Sequence, residues 1–179
     1  MALIIEGPDN AGKTTLAKQL SEVLRIPIHH PGGAPKGSEH ELSCMVSQLE
    51  LCSENIILDR VTCISQPIFN THRHDAVDNP LFGTFLRRMI DTPGCVIIYC
   101  RPDDKEVLNM FKHEVKPHDS PAHIQYIEEN QASFVKSYDL VMSLLPHIKY
   151  NYVNDVPDYV RINELLSNPE VWNKWRGLR

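Results

Sequence analysis

Apolar residues along the chain fall into two alternating patterns. Short unbroken runs at 3–6, 55–59, 95–100 and 148–153 read as strands buried on both faces, and a fifth, short strand is expected near Ile28. Between them the spacing turns helical. Leu16, Leu20, Val23 and Leu24 make one stripe over 13–24, and Leu42, Met45, Val46 and Leu49 make another over 40–52. Segments 81–90, 105–111 and 120–143 continue the alternation. Strands alternating with helices predict an α/β fold: an open, parallel, five-stranded sheet with helices on both faces. Neither an internal repeat nor a linker divides residues 1–179, so a single domain is expected.

The sharpest local signal follows the first strand. Gly7-Pro8-Asp9-Asn10-Ala11-Gly12-Lys13-Thr14, continued by Thr15, satisfies G-x-x-x-x-G-K-[ST] and opens an amphipathic helix. Gly7 and Gly12 allow the tight turn that aims backbone N–H groups inward as an anion nest. Lys13 supplies a cation for the β- and γ-phosphates of ATP, the Thr14 hydroxyl is a Mg²⁺ ligand candidate, and the helix start adds its positive dipole end. The context predicts a P-loop NTPase of nucleoside monophosphate kinase-like form. A second element, Ile56-Ile57-Leu58-Asp59-Arg60, is an apolar strand ending in a carboxylate. Asp59 is a second Mg²⁺ candidate, although such an Asp also caps turns, and Arg60 is expected beside the transferring phosphate.

Composition narrows the class. The content is 42% hydrophobic and 23% charged, as in a globular protein, and no apolar run approaches the roughly 20 residues a membrane span needs. The opening residues read as a strand rather than a leader. The five cysteines lack pair or metal-ligand spacing, which points to reduced thiols and a cytoplasmic setting. A net charge of −5 argues against broad nucleic-acid binding, so any DNA contact would need a local patch such as Arg87, Arg88, Lys174, Arg176 and Arg179. A guanine-reading Asn-Lys-x-Asp is not matched, because Asn173-Lys174-Trp175-Arg176 lacks the Asp. Segment 102–121 carries Lys105, Lys112, His113, Lys116 and His118 with few apolar residues, and suits a mobile lid as well as an ordinary exposed loop. His29, His30, His72 and His74 have no metal-ligand spacing and receive no assignment.

Glu6 through Thr15 resembles the opening of thymidylate kinases, including the Asp two places after the first loop glycine. His30-Pro31-Gly32-Gly33-Ala34-Pro35 is similar to that family's Glu-Pro-Gly-Gly-Thr segment, and Asp59-Arg60 with Ser65 resembles its Asp-Arg-x-x-x-Ser stretch at altered spacing. The three blocks occur in family order within residues 1–70. The resemblance implies a kinase using ATP and Mg²⁺, with Asp9, Lys13 and Arg60 catalytic. It implies an acceptor site drawn from Asp9, Gly32, Gly33, Ser65, Phe69 and Arg88, and it leaves a homodimer open. Phe69 is a base-stacking candidate and equally a core aromatic.

The departures matter as much. The interval 36–55 has no Arg where the family grips the acceptor monophosphate, and the lid offers lysines and histidines instead of arginines. Either Arg87, Arg88 or Arg101 takes over, or the acceptor is not a 5′-monophosphate. The tract 59–69 also resembles phage-type kinases that phosphorylate the 5-hydroxymethyl group of modified uracil in DNA. Two acceptors are therefore expected: 5-hydroxymethyluracil in DNA, or a free deoxynucleotide. A non-catalytic nucleotide switch is the third reading.

Overall fold

The computed structural model describes residues 1–31, 35, 37–72, 79–107 and 121–177. Gly32, Gly33, His74, Lys112, His113, Lys116, His118 and Arg179, and with them most of the expected lid, lie outside the described residues.

Five strands form one parallel sheet in the order β2-β3-β1-β4-β5: β1 Ala2–Glu6, β2 Ile28–His29, β3 Ile56–Asp59, β4 Cys95–Cys100 and β5 Ile148–Tyr150. The helices are α1 Lys13–Leu24, α2 Ser38–Leu51, α3 Thr62–Asn70, α4 Phe82–Asp91, α5 Asp104–Val107, α6 Pro121–Ser143, α7 Tyr159–Ser167 and α8 Pro169–Gly177. Successive strand residues point to opposite faces. Ile4, Leu58, Ile97 and Tyr99 pack with Met45, Ile64, Phe85 and Tyr138 from α2, α3, α4 and α6. Leu3, Ile5, Ile57, Val96 and Ile98 face the other way, onto Leu16 and Leu20 of α1, Leu165 of α7 and Trp172 of α8. Both faces are dry, which is why these strands read as continuous apolar runs rather than alternating ones.

Three features depart from the sequence expectation. The strand expected over 148–153 stops at Tyr150. Asn151 donates its N–H to Asp155 Oδ2 at 2.6 Å and its own Oδ1 accepts from Val153 N at 3.1 Å, so side chains take the place of ladder partners. The helix expected over 105–111 begins at Asp104 and is described through Val107. Helix α3 was not anticipated, nor were α7 and α8. Helix α3 carries Pro67, which masks its helical signal in the sequence.

Register brings the site together. Ile5 of β1 pairs with Asp59 of β3, and Arg60 N donates to Ile5 O at 3.0 Å. From these neighbouring strand ends the chain leaves toward opposite faces, into α1 on one side and α3 on the other. The divergence opens a crevice at the carboxyl edge, where open α/β sheets bind ligands.

Candidate functional site

The loop between β1 and α1 is held in shape by its glycines. Gly7 has φ 147° and Gly12 φ 78°, and Asn10 between them adopts φ 58°. A Cβ on Gly7 would overlap the Cys100 carbonyl oxygen, and one on Gly12 would sit 3.0 Å from Tyr152 Cβ. Leu16 N then donates to Gly12 O at 2.9 Å, starting the helix at the loop's end without a side-chain cap. The first N–H groups of α1 are thereby available to an anion. The loop also carries Pro8, Ala11 and Thr15, of which Ala11 is fully buried.

Lys13 is 7% exposed, and its Nζ donates to Pro8 O at 2.5 Å. Burial, followed by the nearby Arg60 charge, lowers its pKa to about 8. Thr14 Oγ1 donates to Asp59 Oδ2 at 3.2 Å, so the two Mg²⁺ candidates lie side by side. No cluster of three or more His, Cys, Asp or Glu suited to a metal occurs among the described residues. The Thr14 hydroxyl and the Asp59 carboxylate are oxygen donors of the kind Mg²⁺ takes alongside phosphates and water. The same Asp59 oxygen lies 3.0 Å from His30 Nδ1, on a histidine to which sequence reasoning assigned nothing.

Arg60 takes a left-handed backbone, φ 75°, unusual for a residue with a side chain. That conformation turns its guanidinium onto Asp9, to which NH2 donates, while NH1 donates to Tyr138 OH at 3.3 Å and the group lies 5.2 Å from the Phe69 ring centre. Burial opposes the charge, but the surrounding Tyr138, Asp9 and Glu6 oxygens outweigh it and hold Arg60 firmly protonated. Beneath sits Glu6, fully buried. It accepts from Val61 N at 2.7 Å, from Ser65 Oγ at 3.0 and 3.1 Å, and from Tyr138 OH at 3.5 Å. Burial raises the Glu6 pKa despite the Arg60 charge beside it.

Asp9, Lys13, Thr14, Asp59 and Arg60 thus lie together at the carboxyl edge. Ser65 is 8% exposed with its hydroxyl on Glu6, and Phe69 packs 5.3 Å from Phe134. Arg88 lies in the last turn of α4, at the amino edge of the sheet, because the chain enters β4 just after that helix. Arg87 pairs with Asp91 there, as does Arg176 of α8. Arg101 grips Asp139 through Nε and NH2, both at 2.9 Å, and also Asp104. Glu6, His30 and Tyr138 were missed: Glu6 looked like a strand end, and Tyr138 reaches the site from 132 positions away.

No protein-family model matches the chain, and no curated protein matches it. Solved structures do match. The YorR protein from Bacillus subtilis, in complex with phosphorylated GDP, has a TM-score of 0.69 at 20% identity, covering 97% of this chain and 98% of that one. Deoxyadenosine kinase from M. mycoides with bound dATP scores 0.57 at 19% identity, with 97% and 98% covered. A gluconokinase from Sinorhizobium meliloti 1021 scores 0.52 at 10% identity, with 98% and 93% covered. At these identities the likeness is one of fold. Among the described residues, no helix is long and apolar enough to cross a membrane.

Proposed function

We propose that this protein is an ATP- and Mg²⁺-dependent kinase of the thymidylate kinase-like group. Its acceptor is a hydroxyl, the 5-hydroxymethyl group of 5-hydroxymethyl-deoxyuridine in DNA. One observation carries the choice of an alcohol over a monophosphate. Among the described residues the acceptor side of the crevice presents a single guanidinium, Arg60, and Asp9 already accepts from it. Arg101 is engaged by Asp139 and Asp104, and Arg87 and Arg88 stand at the opposite edge. Among the described residues, no other arginine stands here to build a bidentate clamp for a second phosphate.

The residues assign themselves to phosphoryl transfer by position. The loop amides from Gly7 to Thr14 and the Lys13 ammonium cradle the triphosphate, whose charge favours the protonated lysine. Thr14 and Asp59 would hold Mg²⁺, which when bound neutralises the phosphate oxygens. Asp9 orients the acceptor hydroxyl and accepts its proton as the γ-phosphoryl leaves ADP, and Arg60 moves from Asp9 toward the transferring group. The loss of such a cation lowers the rate roughly a hundred- to a thousandfold.

The second reading is a free deoxynucleotide acceptor. It is favoured by the placement of Arg87, Arg88 and Arg176 at the amino edge, where they do not line a track for DNA into the crevice. Labelled ATP with Mg²⁺ and a panel of deoxynucleotides, nucleosides and DNA bearing 5-hydroxymethyluracil separates the two. Label in the DNA alone supports the first reading, and label in mononucleotides alone discards it. ATP binding without transfer to any acceptor leaves a nucleotide switch.

A further inference from the structure

Among the described residues, three buried side-chain nitrogens have no hydrogen-bond partner: Gln48 Nε2, His72 Nε2 and Gln131 Nε2. Gln48 has a task inside the fold, since its Oε1 accepts from Thr62 N at 2.8 Å and secures the start of α3. The other two flank one aromatic ring. The His72 ring lies 4.1 Å from that of Phe134, and Gln131 stands one turn before Phe134 on α6. Phe134 contacts Phe69, which lies under the Arg60 guanidinium.

Helical geometry fixes where Gln131 stands. Seven residues separate it from Tyr138, close to two full turns, so both lie on one face. Tyr138 reaches Arg60 and Glu6 at the end of β1. Helix α6 leads down to β5, which starts at the amino edge, so its earlier residues rise past the carboxyl edge. At about 1.5 Å per residue, Gln131 stands roughly 10 Å beyond Tyr138, on the wall above the Asp9–Arg60 pair. It is 7% exposed. A buried amide donor without an acceptor destabilises a fold, and folds retain few of them without a reason. Its cost is offset when a ligand brings the missing acceptor atom.

We infer that Gln131, with His72 across the Phe134 ring, reads the acceptor's base. Gln131 Nε2 donates to one ring carbonyl of a keto-pyrimidine of the uracil type, and His72 Nε2 to the other. This rests on the crevice being the acceptor site, and it supplies the class of base that site selects. A uracil-type ring carries two carbonyl acceptors on either side of its N–H, which suits two nitrogen donors set apart. Phe69, only partly buried above Phe134, supplies the apolar surface such a ring lies against.

A structural glutamine and a ligand-reading one behave oppositely on substitution, and the test uses that. Full-length protein with ¹⁵N-labelled glutamine side chains is titrated with 5-hydroxymethyl-2′-deoxyuridine, and Gln131→Met, near-isosteric and apolar, is studied beside it. The expected result is a shift of the Gln131 amide signal in wild type and about tenfold weaker nucleoside binding in the variant. The ligand-free variant should also melt above wild type, because a buried unpaired group has gone. An unmoved amide signal at saturating nucleoside overturns the inference, as does failure of any uracil-type nucleoside to bind. So does a variant that melts lower with its nucleoside affinity intact. Loss of the kinase reading looks different: the amide still shifts with nucleoside, while ATP fails to bind or transfer.

Discussion

Glu6 offers the sharpest test of how the site is held. A fully buried carboxylate accepts from the Val61 N–H, the Ser65 hydroxyl and the Tyr138 hydroxyl, next to the Arg60 guanidinium. In Glu6→Ala the hydroxyls can rotate to seek other acceptors, but the Val61 N–H cannot. One orphaned amide at about 1–3 kcal/mol, together with the lost acceptor for the Ser65 and Tyr138 hydroxyls, gives a loss of roughly 3–5 kcal/mol. For a chain of this length each kcal/mol moves the melting temperature by about 2–4 °C, so the expected fall is roughly 6–20 °C.

Glu6→Gln separates charge from hydrogen bonding. The amide oxygen still accepts from Val61 N, and the amide nitrogen donates to hydroxyls that can switch to accepting. Burial raises the Glu6 pKa above its ordinary 4.5, which means that the folded protein favours the neutral acid. The stability this contributes is complete below the unfolded value and is lost as pH climbs through the raised folded one. Gln mimics the neutral acid at every pH. Its melting temperature relative to wild type should therefore rise as pH climbs above the unfolded value, while Glu6→Ala stays well below both. Differential scanning fluorimetry across that range reads all three proteins. An alanine variant within about 2 °C of wild type would refute the reasoning, and so would a glutamine variant as unstable as the alanine one.

Three further outcomes follow from the same geometry. Lys13→Met should abolish ATP binding, measured by calorimetry with Mg²⁺. Because burial lowers the Lys13 pKa to about 8, below that pH the folded protein carries a buried charge that destabilises it relative to the unfolded chain, and the variant should melt at or above wild type near neutrality. Gly7→Ala forces a Cβ onto the Cys100 carbonyl at a φ of 147°, and should cost about 2–4 kcal/mol in urea unfolding while removing nucleotide binding. Arg101→Ala leaves Asp139 with Tyr99 as its hydroxyl partner and should lower stability by about 2–3 kcal/mol, with transfer to the acceptor unchanged.

The parts of this fold that the sequence made legible are those in which neighbours in the chain are neighbours in space. Strand and helix periods, the glycine spacing of the phosphate loop and the Asp59-Arg60 strand end are all local patterns, and the two-faced apolar runs already implied a covered parallel sheet. What stayed hidden is the machinery that sets the angle of the local parts. The left-handed turn at Arg60 depends on a carboxylate from β1, and Tyr138 closes the network from 132 positions further on. No periodicity encodes such a pairing, because Glu6 and Tyr138 each satisfy the apolar pattern of their own element while spending their polar atoms elsewhere. The same blindness explains Arg88, whose charge suggested an acceptor clamp until the direction of α4 carried it to the amino edge. The one sequence clue was an incongruity: a charged Glu6 follows directly on four apolar residues, and the structure buries all five. A carboxylate held that deep requires donors around it, and here those donors are the Val61 amide and the Ser65 and Tyr138 hydroxyls that fix Arg60 against the phosphate loop. The position of the guanidinium is thus decided below the site, by β1, and it should shift with Glu6 even though Glu6 faces away from the nucleotide.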